Sequence, residues 1–246
     1  MNAVTRQDIN GLQNAGRAVR RAFLAMKNAA RPGMTTAELD AVGAAALRQG
    51  GARSAPQLFY KFPGATCISI NEEAAHGIPS ERQLEDGDIV NIDVSAELNG
   101  YVADMGESFV VGEGHPEQHR ICATVQAAVH AAIAQVRAGR SLNIIGRTVS
   151  EKASAAGYLI VENLGSHGVG RSLHEDPSYV PIHNLNERRT LSKGMVLTIE
   201  PFFSDKASWV EEQADGWTLS VPKGVLVAQY EHTLIVTDGQ PIVVTA

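Results

Sequence analysis

A repeat of its own pattern about 106 residues downstream most constrains what this chain can fold into. Arg31, Gly33, Thr35, Leu39 and Gly51 are matched at an offset of 106 by Arg137, Gly139, Ser141, Ile145 and Gly157. At an offset of 107, Gly87, Ile89, Val90, Ile92 and Asp93 fall on Gly194, Val196, Leu197, Ile199 and Glu200. Chance similarity between helix-turn-helix segments is the alternative. Helix and strand offsets that agree to within one residue favour an internal duplication. Each half then delivers an acidic residue from the same strand position.

The repeated units read as a helix pair followed by strands. Residues 6–30 carry Val19, Phe23 and Met26 on one face of an amphipathic helix, ended by Arg31-Pro32-Gly33. Thr35 with Glu38 three residues later forms a capping box for a second helix, which closes near Gly50-Gly51. A matching pair spans roughly 116–137 and 141–156, and the rest reads as strands and loops. No Pro/Gly/Ser linker separates the halves. The expectation is an α+β chain forming one domain over 1–246, with pseudo-repeats at about 6–111 and 116–237.

Asn99-Gly100 lies between two β-rich runs, Ile89 to Leu98 and Tyr101 to Val111, and Asn-Gly is the strongest short hairpin signal. A two-residue turn puts Asp104 opposite Ser95 and diagonal to Asp93, with backbones about 7–8 Å apart. Asn91, Asp93 and Ser95 form a polar stripe, while Val90, Ile92 and Val94 face the other way into a core. Two aspartates on a hairpin are by themselves usually solvated surface. The second half strengthens the case, because Glu200 ends the apolar run Val196 to Ile199 and Glu231 sits inside Val225 to Thr237. Buried bare charges are costly unless paired or bound to metal, and these strands hold almost no Lys or Arg. Metal ions supply the missing positive charge.

Histidines complete the set. His167 and His174 stand seven residues apart around a glycine-rich loop, and His76-Gly77-Ile78-Pro79 echoes His167-Gly168-Val169. The loop's glycine order matches neither nucleotide motif. His115 and His119 read as surface beside a helix start at Pro116, and nothing singles out His130, His183 or His232.

Composition narrows the partners. A net charge of -6 and no Lys/Arg run argue against nucleic-acid binding, leaving a small molecule or peptide as the default partner. Cys67 and Cys122 are too few for a disulfide framework, which fits a reducing compartment. No leader-like or membrane-spanning apolar stretch is present, so a cytoplasmic location is expected.

Taken together, these segments resemble the methionine aminopeptidases of the wider pita-bread metallohydrolase superfamily, from about Pro32 to Thr237. The carrying motifs are Cys67 to Glu72 with His76-Gly-Ile-Pro, Asp88 to Asp93, Asp104, His167-Gly-Val-Gly, His174-Glu-Asp-Pro, Thr198-Ile-Glu200-Pro, and Gln229 to Thr233. The resemblance implies a pseudo-twofold, duplicated helix-pair and antiparallel-sheet fold, and removal of the N-terminal methionine from nascent polypeptides. It implies two divalent ions (Co, Mn or Fe) on Asp93, Asp104, His167, Glu200 and Glu231, with Asp104 and Glu231 bridging. His76 and His174 match substrate-contacting histidines, and Phe59, Phe62, Cys67 and Trp217 surround the methionine side chain. The short spacer between His174 and Glu200 implies the type I enzymes, and a monomer is expected. A ribosome contact is compatible with the resemblance but has no motif here. Met105, Val102-Ala103 and Leu173 depart from the common pattern, and the charged segment from Phe203 to Gly216 is longer than expected. A proline-specific exopeptidase and a binding protein without catalysis on the same fold are the alternatives.

Four carboxylates balance two divalent ions, and such ions make a water acidic enough to attack a carbonyl. Glu200 is the candidate to move the proton toward the leaving amine, His174 to stabilise the oxyanion, and His76 to hold the next amide.

Overall fold

The structure, a computed structural model, describes residues 1–180, 184 and 186–246, so His183 lies outside the described residues. The first half runs α1 (Arg6–Ala29), α2 (Thr36–Gln49), β1 (Arg53–Ser54), α3 (Ala55–Tyr60), β2 (Cys67–Ile70), β3 (Glu73–Ala75), β4 (Ile89–Leu98) and β5 (Tyr101–Val110). The second begins α4 (Pro116–Ile133), α5 (Asn143–Ala156), β6 (Leu159–Ile160), β7 (Ser166–Gly168), β8 (Glu175–Val180), β9 (Val196–Ile199) and β10 (Phe202–Ser204). It ends with β11 (Glu211–Glu212), β12 (Leu219–Ser220), β13 (Val227–Gln229), β14 (His232–Ile235) and β15 (Ile242–Val243).

Capping chemistry sets the first helix pair. Thr5 and Asp8 form a capping box at α1, and Thr35 with Glu38 forms the expected one at α2. Leu12, Val19, Phe23 and Met26 of α1 and Leu39 of α2 are buried against Val90, Ile92 and Val94 of β4. That apolar face of β4 is spent on the helices, so Asn91, Asp93 and Ser95 must look the other way. In the second half, Ile121, Val125 and Val129 of α4 and Ile145 of α5 bury Leu197, Ile199 and Leu234 in the same manner.

The same turn bonds recur in both halves. Gly33 N–H donates to Leu84 O and Gly139 N–H to Leu191 O, both at 2.8 Å. Leu84 and Leu191 return bonds to Met34 O and Arg140 O at 2.9 and 2.8 Å. Both glycines sit at φ +83, in the left-handed region where a Cβ is disfavoured. These partners are offset by 106 or 107 residues, as the sequence pattern is.

Every paired strand is antiparallel. One sheet has the order β1-β4-β2 with β5 on β4, and a five-stranded sheet has the order β15-β14-β9-β7-β8. The β4–β5 register pairs Ser95 with Asp104 and Leu98 with Tyr101, as the Asn99-Gly100 turn predicts. Asn99 and Gly100 take φ +53 and +81, the positive pair that a type I′ turn requires.

Three expectations are corrected. α4 stops at Ile133 instead of 137, because Gln135 and Val136 close tight turns onto Ala132 O and Ile133 O that aim Val136 into the core. α5 starts at Asn143. The stretch after Arg53 contains a helix, α3, where strands and loops were expected; Ser54 caps it through Gln57 N–H and Pro56 occupies its first turn.

Candidate active site

Five polar side chains converge where the two large sheets meet. Asp93 and Asp104 face inward from the β4–β5 hairpin. His167 comes from β7, Glu200 follows β9, and Glu231 lies between β13 and β14. Backbone bonds fix these origins. Asp104 N–H donates to Thr233 Oγ1 at 2.9 Å, and the same hydroxyl donates to Asp104 O at 2.8 Å. Glu231 N–H donates to Gly106 O at 2.7 Å, tying β5 to the second half.

His167 Nε2 lies 3.1 Å from Glu200 Oε1 and 3.9 Å from Asp104 Oδ2. Its Nδ1 meets Gly168 O at 2.9 Å, which assigns the proton to Nδ1 and leaves the Nε2 lone pair for a ligand. Ligand atoms of Asp104, His167 and Glu231 all lie within 4.8 Å of one another. Asp104 is 5% exposed and Glu231 0% exposed, yet Asp104 Oδ1 and Glu231 Oε1 have no hydrogen-bond partner. Among the described residues no Lys or Arg pairs with Asp93, Asp104, Glu200 or Glu231. Orphaned, buried carboxylate oxygens are costly, and a divalent cation is the group that such a donor set fits.

Burial, reinforced by the charge of Glu200, lifts Asp93 to about 7. Burial and then the neighbouring carboxylates push Asp104 and Glu231 well above the ordinary range. Burial, the largest influence, would lower His167, but the charge and hydrogen bond of Glu200, with Gly168 O and the Asp93 charge, together raise it. The carboxylates therefore repel one another unless a cation joins them.

Above these groups opens a cavity of about 260 Å³. His76, His174, Asp93, Asp104, His167 and Glu200 form its polar side, and Phe62, Cys67, Leu173 and Trp217 its apolar side. The His174 ring lies over His167 with centroids 4.1 Å apart, and Phe62 meets Trp217 edge to face at 5.2 Å. His76 takes φ +57, and the following Gly77 leaves no room for a Cβ, which would lie 2.2 Å from Ile68 O. Asp215 Oδ1 accepts the backbone N–H of Trp217 and of Thr218, both at 2.8 Å, and so aims the indole.

That last contact accounts for the long segment from Phe203 to Gly216. Asn163 clasps Val210 in both directions at 2.9 and 3.0 Å, β11 pairs with β12, and β12 pairs with β3. The excursion buttresses the strand that leads into His76 and the residue that forms the cavity wall.

The structure brings together the sequence-derived residues Asp93, Asp104, His167, Glu200, Glu231, His76, His174, Phe62, Cys67 and Trp217. Phe59 is the correction: it is 36% exposed and outside the cavity lining. One helical step of about 100° turns it away, and Tyr60 stands on the wall instead. Tyr60 was missed because α3 is too short to show periodicity; Ser54-Ala55-Pro56 was the readable signal of a helix start.

Comparison with known proteins agrees with this geometry. The family model described as metallopeptidase family M24 matches residues 10–238. Methionine aminopeptidase 2 of Bacillus subtilis (strain 168) is 44% identical over 241 residues, covering 97% of each chain. The crystal structure of methionine aminopeptidase from Thermotoga maritima superposes with a TM-score of 0.95 at 29% identity, covering 100% of this chain and 99% of that one. The prolidase from Pyrococcus furiosus shares the fold with a TM-score of 0.79 at 23% identity, over 98% of this chain and 64% of that one. The architecture is the pita-bread fold, and with these matches spanning nearly its whole length the chain belongs to metallopeptidase family M24.

Proposed function

We propose that this enzyme removes the N-terminal methionine from peptides and nascent polypeptides by hydrolysing the first peptide bond. The observation that carries the reading is the pair of buried, partnerless oxygens on Asp104 and Glu231. They lie beside His167, whose Nε2 faces the Glu200 and Asp104 carboxylates, and Asp104 lines the apolar-walled cavity above. Nearly full-length similarity to proteins named methionine aminopeptidase supports the substrate class.

Asp93, Asp104, His167, Glu200 and Glu231 would hold two divalent ions. Oxygen-rich ligation with one imidazole suits Mn(II), Fe(II) or Co(II). Bound ions supply Lewis acidity and an activated water. Glu200, steadied by the Thr198 hydroxyl at 2.7 Å, takes a proton from the attacking water and hands it to the leaving amine. His174 donates to the developing oxyanion and His76 to the amide of the following residue. Phe62, Cys67 and Trp217 grip the thioether, a soft group suited to aromatic and sulfur contacts.

The chain works as one domain, its halves at about 6–111 and 116–237 each contributing carboxylates. No described helix is long and apolar enough to cross a membrane. We read the enzyme as a cytoplasmic monomer.

Metal analysis of the purified protein, with hydrolysis of Met-Ala-Ser and Ala-Pro-Ala, tests the reading. Two ions per chain and cleavage of the first peptide alone are expected. Cleavage of Ala-Pro-Ala alone would indicate a proline-specific enzyme, and neither metal nor turnover a binding protein.

A further inference from the structure

Tyr60 is the last residue of α3 and, among the described residues, the only phenol on the cavity wall. Its hydroxyl lies 2.6 Å from His174 Nδ1, and the two rings meet edge to face at 5.4 Å. The contact joins residues 114 apart in sequence. The backbone on either side of Tyr60 is pinned. Lys61 takes the left-handed conformation at φ +60 with its N–H on Gln57 O, and Phe62 N–H returns to Pro56 O. Ser54 Oγ staples the start of α3 to Ala65 O at 2.7 Å.

A phenol O–H is a strong donor and a neutral imidazole nitrogen a strong acceptor, so the proton of this bond belongs to the phenol. A neutral imidazole carries one proton, and an accepting Nδ1 places it on Nε2. His174 Nδ1 has no other hydrogen-bond partner among the described residues, so without the phenol only the weak intrinsic preference of a solvated imidazole acts on its tautomer.

We propose that Tyr60 is a positioning residue for His174: its hydroxyl donates to Nδ1, holds the ring in the Nε2–H tautomer and presents that N–H to the cavity. The inference rests on the reading of His174 as oxyanion donor, since only Nε2–H could donate there. A histidine held in the wrong tautomer keeps its place and loses its function. The phenol thereby gains a chemical role beyond walling the cavity.

Nitrogen-15 NMR of the imidazoles in metal-free protein at pH 8, with His174 assigned through His174→Gln, tests this without any turnover. The expected spectrum has His174 as the Nε2–H tautomer in wild type and as a mixture or Nδ1–H in Tyr60→Phe, which keeps the ring and loses the hydroxyl. With Mn(II) loaded, Tyr60→Phe should lower kcat on Met-Ala-Ser about 10- to 100-fold, with KM within about two-fold and metal content unchanged, the scale on which orienting partners of functional histidines act. An Nδ1–H tautomer in wild type, or an unchanged tautomer in Tyr60→Phe, overturns the proposal. So does a rise in KM alone, which would make Tyr60 a wall residue. If Met-Ala-Ser is not a substrate at all, the proposed reaction fails while the spectra still decide the contact.

Discussion

The Gln229 carboxamide clamps Glu231, donating from Nε2 to Glu231 Oε2 at 3.0 Å while its Oε1 accepts from Asn91 Nδ2 at 2.8 Å. Both residues are almost wholly buried, so the bond has no water to replace it. The clamp leaves Glu231 Oε1 aimed at the site. Gln229→Leu should weaken Mn(II) binding about 10- to 100-fold while circular dichroism stays native, because partners that orient a ligating carboxylate act on this scale. Calorimetric titration with Mn(II) checks it, and wild-type affinity in the variant would show that the clamp is dispensable.

Removing a ligand and removing a donor should be separable. Asp104→Ala is expected to abolish turnover and drop bound metal from two ions toward one or none. His174→Ala should retain its metal and lose turnover by about 10²- to 10³-fold, the usual cost of one oxyanion donor. Metal analysis beside single-substrate kinetics distinguishes the two, and equal metal loss in both would make His174 a ligand.

Specificity should follow the aromatic pair. Trp217→Ala removes the edge contact with Phe62, so kcat/KM over an Xaa-Ala-Ser series should flatten. One methylene in an apolar pocket is worth about 1–3 kcal/mol, so wild type should discriminate moderately against norleucine and strongly against Gly and Lys. A series left unchanged by Trp217→Ala would remove the indole from the side-chain pocket.

Burial pushes the Cys122 thiol up to about 12, aided by the Glu107 carboxylate. Its pKa is thus raised above the unfolded value of 9.0. The stabilising contribution is complete below that value and is lost as pH climbs from it toward about 12. Iodoacetamide labelling of Cys122, followed by mass spectrometry, should accelerate about ten-fold per pH unit through pH 10 with no plateau, since only the thiolate reacts. A plateau near pH 9 would contradict the shift.

What the sequence made legible was local. Asn99-Gly100 fixes the register that sets Asp104 opposite Ser95, and the Thr35–Glu38 capping box marks the start of α2. Acids in apolar strands with no cation nearby in sequence pointed to the metal site. Tertiary choices stayed hidden. Which of Phe59 and Tyr60 turns inward depends on where a six-residue helix starts and how Lys61 ends it. Likewise, Trp217 is aimed by Asp215 at the tip of an irregular excursion that has no periodicity to read.

The Glu231 N–H bond to Gly106 O closes the site across 125 residues. Asp93 and Asp104 are synthesised early and lie diagonal to one another on one hairpin, whereas Glu231 is the last of the five to emerge. A chain still being translated therefore has two converging aspartates but no complete cage. The full donor set thus exists only once the final strands have docked, and the first half of the chain cannot assemble it alone.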